Sequence, residues 1–287
     1  MKPASALVES LVAAALAEDA PWGDLSAQTF VPADATMTAQ LTAREDGVLC
    51  GEALFATAMD LTSGAITTIF RVHDGEHFTK GTVLATVEGP ARAILQAERV
   101  ALNFAQRLSG IATQTAKYVA ATAGTSTRIT DTRKTTPGLR QLERYAVRCG
   151  GGHNHRFSLS DAVMLKDNHL AVLTQNGQRP LTEALREAAR ALPHTTHIEV
   201  EVDRIDQIEP VLASGVVNTL MLDNFSLDQL REGSALARKL APSVLIEASG
   251  GITLERIPEL AAAGVDIISV GALTHSVRAL DLGLDVA

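Results

Sequence analysis

Cysteine and aromatic residues are scarce in this sequence, and each scarcity excludes a class of protein. Cys50 and Cys149 are the only cysteines among 287 residues, so the chain has neither a disulfide framework nor the cysteine spacing of a zinc site. Aromatic residues make up 3% of the chain, and its net charge is −8. A nucleic-acid-binding protein usually has a basic face with stacking aromatic side chains. The composition therefore favours a cytoplasmic protein that does not bind nucleic acid.

Long apolar runs are also lacking. No run approaches the roughly 20 apolar residues that a membrane-spanning helix needs. Residues 11–17 end in Ala-Leu-Ala, as a secretory signal can, but Glu9 interrupts the apolar region and Lys2 is the only basic residue before it. We interpret residues 4–17 as an amphipathic helix and expect no membrane association. With 46% hydrophobic and 20% charged residues, the chain has the composition of a folded globular protein.

The hydrophobic pattern changes character near Gly110. Before it, short strands alternate with helices near residues 53–62 and 91–108, which predicts a small α+β domain over residues 1–110. After it, six strands alternate with helices, and such β-α repeats imply parallel strands. The predicted strands are 128–132, 162–166, 197–202, 219–223, 244–248 and 267–270; the predicted helices are 181–192, 204–213, 227–240 and 254–263. Six strands are two short of a full α/β barrel. We expect an α/β protein with an incomplete barrel at 111–275, and a tail at 276–287 that packs back on the N-terminal domain.

Basic residues concentrate in one stretch of this acidic chain. Residues 129–170 contain seven Lys or Arg against four Asp or Glu, a local balance of +3. The cations follow predicted strands, with Arg133 and Lys134 after one and Lys166 after the next, while His155 and Arg156 close a run of three glycines. Cations gathered in this way indicate an anion-binding site, and strand exits in an α/β barrel meet at its C-terminal rim.

Two further groups of residues occupy the remaining strand ends. Glu201 and Asp223 form a carboxylate sector, and Ser249, Gly250 and Gly271 form a sector rich in backbone N–H groups. Arginine grips carboxylates in a bidentate manner, and glycine-rich turns let backbone amides approach a phosphate. Carboxylates can orient ribose hydroxyls, hold Mg²⁺ or stabilise a developing positive charge. Together they predict a site for a ligand with several carboxylates and a phosphate, and the role of the carboxylate sector stays open among these three. Glu199 points to the same face as Glu201 but lies deeper, and we assign it a structural role.

Two segments, residues 153–155 and residues 73–84, have alternative interpretations. His153 and His155 are spaced like a metal pair, but no third ligand follows at metal spacing. Residues 73–84 resemble the turn of a biotinyl or lipoyl carrier, although Lys80 lies beside the wrong turn for a modified lysine. We favour an anion site for the first segment and a plain β-turn scaffold for the second.

Four charged residues between positions 140 and 148 are less informative about function. Glu143 and Arg144 are expected on a solvated helix face. Arg140 and Arg148 are either solvated in the same way or steer an anionic substrate towards the site.

Specific motifs across nearly the whole chain resemble those of the quinolinate phosphoribosyltransferases, the carboxylating nicotinate-nucleotide diphosphorylases of NAD biosynthesis. The longest are DTRKTTPG at 131–138, YAVRCGGGHNHR at 145–156 and KDNH at 166–169. The others are ER at 98–99, LSGIAT at 108–113, EVEVD at 199–203, LDNF at 222–225, SGGI at 249–252 and VGALTHS at 270–276. Ala248 stands where a serine is common in the family, but no functional group is lost.

The resemblance implies a fold and an assembly. The N-terminal domain would be an open sandwich, followed by an incomplete α/β barrel. The protein would be a homodimer, with a higher oligomer left open, and each active site would borrow residues from the N-terminal domain of the neighbouring subunit. Arg99 would be the borrowed cation.

The resemblance also implies roles for individual residues. Quinolinate would be held by Arg99, Thr132, Arg133, His155, Arg156 and Lys166. Phosphoribosyl pyrophosphate (PRPP) would be held by Lys134, Glu201, Asp223, Ser249, Gly250, Gly271 and His275. Mg²⁺ would bind through the pyrophosphate, with Glu201 and Asp223 as candidates for any direct contact. The catalytic set would be Lys134, Lys166, Glu201 and Asp223, and either lysine is a candidate proton donor.

The implied reaction joins quinolinate to phosphoribose and releases CO₂, giving nicotinate mononucleotide. Two rival functions remain at this stage. One is a paralogue of the same fold associated with molybdate transport, for which the motif at 166–169 is a poor match. The other is a non-catalytic nucleotide sensor, which would have no need for both Glu201 and Asp223 beside the cations.

Overall fold

The computed structural model describes residues 2–287 and divides them into two compact units. The first unit takes in the chain up to Ala116, with Thr135–Gly151 and Leu273–Ala287. The second unit consists of Lys117–Lys134 and Gly152–Ala272. Each unit therefore gathers segments that are separated in the sequence.

The first part of the chain combines short strands with helices. In order, its elements are α1 (Ser5–Asp19), α2 (Leu25–Phe30), β1 (Thr36–Ala43), β2 (Gly47–Val48), α3 (Glu52–Thr62), β3 (Thr67–Phe70), β4 (His77–Phe78), β5 (Val83–Pro90) and α4 (Ala91–Ala120). In β1 the small or apolar residues Ala39, Leu41 and Ala43 are buried at every second position, which is the periodicity of a strand with one face on a core.

The second part repeats strands and helices. In order, its elements are β6 (Arg128–Thr130), α5 (Arg140–Cys149), β7 (Val163–Leu165), α6 (Asp167–Leu173), α7 (Leu181–Ala189), β8 (Ile198–Val202), α8 (Ile208–Leu212), β9 (Thr219–Asp223), α9 (Leu227–Leu240), β10 (Leu245–Ser249), α10 (Ile257–Ala261), β11 (Ile267–Ser269), α11 (Ala272–His275) and β12 (Leu282–Val286). Single 3₁₀ turns at Ile205–Gln207 and Leu254–Arg256 precede α8 and α10.

The first unit contains a four-stranded antiparallel sheet in the order β12-β1-β5-β3. The C-terminal strand β12 is an edge of this sheet and pairs Leu284 with Leu41 of β1. Strands β2 and β4 form a separate antiparallel pair. Across residues 2–287, no helix combines the length and apolar character needed to cross a membrane.

The second unit contains six strands in the order β6-β11-β10-β9-β8-β7, and every neighbouring pair is parallel. The sheet ends at β6 and β7 instead of closing on itself, so the predicted incomplete barrel is confirmed. Its central strands are buried, as parallel strands covered by helices usually are; Val200, Leu220 and Ile246 are fully shielded from solvent. The carboxyl ends of all six strands meet at one edge of the barrel.

Several boundaries differ from the sequence prediction. Helix α4 continues to Ala120 although the sequence predicts its end near residue 108. Gly110 looks like a helix stop, but a Cβ at this position would lie 2.3 Å from the carbonyl oxygen of Arg278. The glycine therefore allows a close backbone approach within an unbroken helix. Ser226 and Gln229 form a capping box at the start of α9, which begins where the sequence predicts it.

The expectation that Glu143 lies on a solvated helix face is wrong. Its side chain is fully buried, and one oxygen lies 2.7 Å from Nη2 of Arg107. The same carboxylate accepts hydrogen bonds from the backbone N–H and the hydroxyl of Thr136. Arg107 is 36 residues away in the sequence, so the local pattern of α5 could not reveal the partner that makes burial of this charge tolerable.

Candidate active site

A cavity of about 540 Å³ opens at the carboxyl ends of the barrel strands. Ten of its lining residues are predicted site residues: Thr132, Arg133, Lys134, His155, Arg156, Lys166, Glu201, Asp223, Ser249 and Gly250. The remaining five are Met164, Met221, Asn224, Gly251 and Ser269. The structure therefore brings the cationic, carboxylate and glycine-rich sectors together around one space.

The cationic side of the cavity is organised by a buried aspartate. Asp131 follows β6 and is fully buried. Its carboxylate accepts a hydrogen bond of 2.6 Å from Nδ2 of Asn154 and one of 2.7 Å from the backbone N–H of His155. These bonds hold the 153–156 segment against the end of β6. Arg133 and Arg156 consequently lie on the same wall although they are distant in sequence.

Lys166 connects the cationic and carboxylate sectors. It stands immediately before α6, and its Nζ lies 2.5 Å from Oε2 of Glu201 at the end of β8. The lysine side chain is 46% exposed and the glutamate side chain 14% exposed. A substrate carboxylate entering the cavity can therefore reach the ammonium group from the solvent side.

The carboxylate and glycine-rich sectors meet at neighbouring strand ends. Asp223 ends β9 and pairs in register with Ser249, which ends β10. The next residue, Asn224, has a φ of 57° and donates a 2.6 Å hydrogen bond from Nδ2 to Oδ2 of Asp223. Gly250 packs so closely against Asn224 that a Cβ would lie 2.2 Å from its Oδ1. This tight turn exposes the end of β10 to a ligand.

Two buried glutamates lie beneath this cavity and hold His155. Nε2 of His155 lies 3.0 Å from Oε2 of Glu199 and 3.6 Å from Oε1 of Glu247. Glu199 on β8 is 4% exposed and Glu247 on β10 is 2% exposed. The second oxygen of Glu199 has no hydrogen-bond partner among residues 2–287. Burial of two carboxylates is costly without nearby positive charge, so this arrangement favours a cationic ring.

The protonation state of His155 reflects opposing influences. Burial lowers the pKa of the ring, but the hydrogen bonds and charges of Glu199 and Glu247 outweigh it and raise the pKa to about 10. Burial also raises the pKa of Glu199. Nδ1 of His155 lies 2.8 Å from the backbone N–H of Arg156, a contact in which only a neutral ring can accept. This contact opposes the rise in the pKa of His155, but the two buried carboxylates affect that pKa more strongly.

A second cavity of about 400 Å³ lies towards the amino ends of the strands. Its walls include Arg128, His197, Glu199 and Glu247, and His155 lines both cavities. Residues 155–156 line both cavities and therefore lie between the cavity at the carboxyl ends of the strands and this second cavity.

Three predicted residues are placed elsewhere. Gly271 lies two residues beyond Ser269, which is the residue of β11 on the cavity wall. Arg99 and His275 belong to the first unit, where Arg99 is exposed on α4 and Nδ1 of His275 lies 2.6 Å from the hydroxyl of Ser276. Their assigned roles stay predictions.

Sequence reasoning missed Glu247 and the two methionines of the cavity wall. Glu247 is a single charge inside an apolar strand, a signal that could have indicated a buried functional group. Met164 and Met221 give no signal of their own, because apolar residues at strand positions usually belong to the core.

Comparison with known proteins agrees with this geometry. Residues 24–109 match the N-terminal domain and residues 111–285 the C-terminal domain of quinolinate phosphoribosyl transferase. The chain is 43% identical over 270 residues to a probable carboxylating nicotinate-nucleotide pyrophosphorylase of Bacillus subtilis, covering 94% of this chain and 90% of the relative. It is 43% identical over 275 residues to the carboxylating nicotinate-nucleotide pyrophosphorylase of Mycobacterium leprae, covering 95% and 94%.

Solved structures show the same likeness. The nicotinate-nucleotide pyrophosphorylase of Francisella tularensis superposes with a TM-score of 0.91 at 37% identity, covering 100% of this chain and 98% of that one. Sequence and fold agree over both units. The chain belongs to the quinolinate phosphoribosyltransferase family.

Proposed function

We propose that the protein transfers phosphoribose from PRPP to the ring nitrogen of quinolinate and removes the adjacent carboxylate, giving nicotinate mononucleotide, CO₂ and pyrophosphate. The observation that carries this proposal is the single cavity at the strand ends, where Arg133, Arg156 and Lys166 face Glu201 and Asp223. This arrangement suits a dianionic acceptor placed beside a sugar that becomes positively charged during the reaction.

Quinolinate would occupy the cationic side of the cavity. Arg133 and Arg156 offer planar guanidinium groups that match a carboxylate, while Lys166 offers a point charge. Thr132 lines the same wall. His155, held from below by Glu199 and Glu247, would complete the cationic environment. These groups would fix the ring so that its nitrogen faces the sugar.

PRPP would occupy the opposite side. The turn at Ser249 and Gly250 leaves room for phosphate oxygens close to the backbone, and Lys134 would compensate charge on the pyrophosphate. Glu201 and Asp223, at the ends of neighbouring strands, would accept hydrogen bonds from the ribose hydroxyls. We also assign Gly271 and His275 to this half of the site from the family motif.

The residues present fit a magnesium ion. Glu201 and Asp223 are hard oxygen donors, and Mg²⁺ in proteins usually binds one or two carboxylates together with substrate phosphates. When bound, the ion would neutralise charge on the departing pyrophosphate. Direct contact with these two carboxylates would be secondary to its contact with the pyrophosphate.

The chain's own contribution to the chemistry would be positioning and electrostatics. As the bond to pyrophosphate breaks, positive charge develops on the ribose, and the carboxylates of Glu201 and Asp223 would stabilise it. Loss of the carboxylate next to the pyridinium nitrogen leaves a carbanion that must take up a proton. Lys134 and Lys166 both line the cavity, and both remain candidate donors.

We also infer a homodimer with shared sites. Arg99 is exposed on α4, and Leu95 lies one turn before it on the same helix. Trp22, Leu25 and Phe30 are 91%, 78% and 85% exposed around α2. The backbone N–H of Asp24, at the start of α2, donates to Gln96 of α4. Apolar side chains so exposed beside a cation suggest a surface that a second subunit covers.

Complementation tests the shared site. Under this scheme, Arg99→Ala and Lys166→Ala homodimers each lose activity at low quinolinate concentration, because both of their sites lack one cation, whereas a mixed dimer regains one intact site. Recovery of activity in verified heterodimers is expected, and its complete absence would refute the borrowed arginine. We further infer a cytoplasmic location, in line with two cysteines that are both free thiols.

The reaction itself is tested by incubating the protein with quinolinate, PRPP and Mg²⁺. Nicotinate mononucleotide and CO₂ should form in equal amounts, and chelation of the metal should stop the reaction. Nicotinate in place of quinolinate should give no product, because it lacks the second carboxylate. Binding of the ligands without turnover would instead identify a non-catalytic sensor.

A further inference from the structure

The only two cysteines of the chain lie side by side in the first unit. Cys50 lies between β2 and α3, and Cys149 is the last residue of α5. Their Sγ atoms and a carboxylate oxygen of Asp74 lie within 4.8 Å of one another. The fold has thus paired two thiols that are remote in the sequence.

Hydrogen bonds on both sides keep this pair in place. Oδ1 of Asp74 accepts from the backbone N–H groups of Gly51 and Glu52, at 2.7 and 3.1 Å, and so caps the start of α3 next to Cys50. Oδ2 of Asp74 accepts a 2.9 Å hydrogen bond from the hydroxyl of Tyr145, one turn before Cys149 on α5. One carboxylate therefore links the two thiol-bearing segments.

The same bonds argue against a metal at this cluster. Both oxygens of Asp74 are already acceptors, with three donors between them. That leaves two sulfur atoms, whereas a structural zinc site usually needs four protein ligands. The chemistry that remains to the pair is thiol chemistry.

The two thiols differ in reactivity. The adjacent thiol of Cys50 lowers the pKa of Cys149, which is half-buried. Burial raises the pKa of Cys50 well above its usual range. The thiolate is the nucleophilic form of cysteine, so Cys149 is the attacking sulfur and Cys50 the protected one.

We propose that Cys50 and Cys149 form a site of reversible oxidation that reacts with hydrogen peroxide or small organic peroxides and closes into an intramolecular disulfide. The Cys149 thiolate attacks one peroxide oxygen, the O–O bond breaks, and hydroxide departs. Cys149 is then a sulfenic acid. The Cys50 sulfur then attacks this sulfenic sulfur; its proton and the leaving hydroxyl depart as water. Two thiols and one hydrogen peroxide give one disulfide and two waters; with an organic hydroperoxide an alkoxide leaves in the first step, so that one water and one alcohol form. A dithiol reductant reverses the change.

Disulfide closure would tie the end of α5 to the start of α3. A disulfide requires an S–S distance of about 2.05 Å, so the two segments must approach slightly. The crosslink would enclose a long stretch of chain, and such crosslinks raise resistance to thermal unfolding. In a reducing compartment, a disulfide of this kind is usually transient and redox-sensing.

The test treats the full-length reduced protein with a small excess of hydrogen peroxide. Intact mass after denaturation should fall by two hydrogens, both free thiols should disappear, and digestion should yield a peptide joining Cys50 to Cys149. Dithiothreitol should restore both thiols. The unfolding temperature should rise on oxidation and return on reduction.

Two variants separate the roles of the sulfurs. Cys50→Ser should stop at a sulfenic acid on Cys149 that a dimedone probe traps, whereas Cys149→Ser should leave Cys50 unmodified. The proposal is overturned if peroxide leaves both wild-type thiols free, if Cys149 is oxidised to sulfinic acid while Cys50 stays reduced, or if the disulfide joins two different chains. The wild-type mapping decides the matter even if a variant fails to fold.

Discussion

Gly250 and Gly251 form a matched pair for testing the turn that ends β10. Both have positive φ, 89° and 58°, so an alanine at either position is strained. A Cβ on Gly250 would lie 2.2 Å from Oδ1 and 2.8 Å from the backbone nitrogen of Asn224. A Cβ on Gly251 would have no heavy atom of residues 2–287 within 4 Å apart from its own chain neighbours. Only the first substitution therefore combines backbone strain with a clash.

The two costs can be separated. The left-handed conformation costs a non-glycine residue about 1–2 kcal/mol, and both alanine variants pay it. Forcing an extra carbon into a filled space adds about 1–3 kcal/mol, which applies to Gly250→Ala alone. This second cost falls on Asn224, whose Nδ2 donates to Asp223 in the proposed ribose site. At about 1.4 kcal/mol per factor of ten, we expect the KM for PRPP to rise roughly tenfold or more in Gly250→Ala.

Steady-state kinetics with saturating quinolinate and varied PRPP measure this effect, and urea unfolding measures the shared strain. Gly251→Ala should lose some stability but keep a KM for PRPP within about threefold of wild type, since a change of that size corresponds to under 1 kcal/mol. A KM for PRPP that stays at the wild-type value in Gly250→Ala would refute the assignment of this turn to the sugar phosphate.

Three further predictions concern single side chains. Lys166→Ala should raise the KM for quinolinate about tenfold or more with an unchanged melting curve, because a hydrogen bond to a charged group contributes about 1.5–3 kcal/mol. Unchanged kinetics would exclude Lys166 from the residues that bind the quinolinate carboxylates. Glu143→Ala should cost about 3 kcal/mol in urea unfolding because it breaks a buried ion pair, whereas Glu187→Ala, at a largely exposed pair, should cost under about 1 kcal/mol; equal losses would contradict the burial argument. Because folding raises the pKa of His155, protonation of its ring contributes to the free energy of unfolding. This contribution is fully present below the pKa of unfolded histidine, near 6.5, and is lost as the pH rises through about 10. Nitrogen NMR of labelled histidine should show a protonated His155 ring at pH 8 and a lower His155 pKa in Glu247→Gln, and a neutral wild-type ring at pH 8 would contradict the assignment.

The barrel was predictable because its signals are local. Strand β9 and helix α9 coincide with the predicted residues 219–223 and 227–240, since an apolar run and a capping pair mark their limits. Strand β12 was not predicted, because it carries Asp285 and is stabilised by pairing with β1 at the other end of the chain. Long-range pairing of this kind leaves no local pattern.

In the site, too, features with a local sequence signal are predictable and those that depend on long-range contacts are not. The sequence predicts the residues at the strand ends because their positions follow from the strands themselves. It does not predict that Glu199 and Glu247 converge on His155, or that Cys50 meets Cys149, because both clusters join segments that only the folded chain brings together. Fully buried Glu143 was misassigned for the same reason, since its partner Arg107 lies on another helix.

A crystal structure of the protein with bound quinolinate tests the proposed substrate site most directly. We expect the pyridine ring in the cavity at the carboxyl ends of the strands, with its carboxylates within hydrogen-bond distance of Arg133, Arg156 or Lys166 and its nitrogen directed towards Glu201 and Asp223. Quinolinate bound away from these side chains, at a concentration that saturates turnover, would contradict the proposed site.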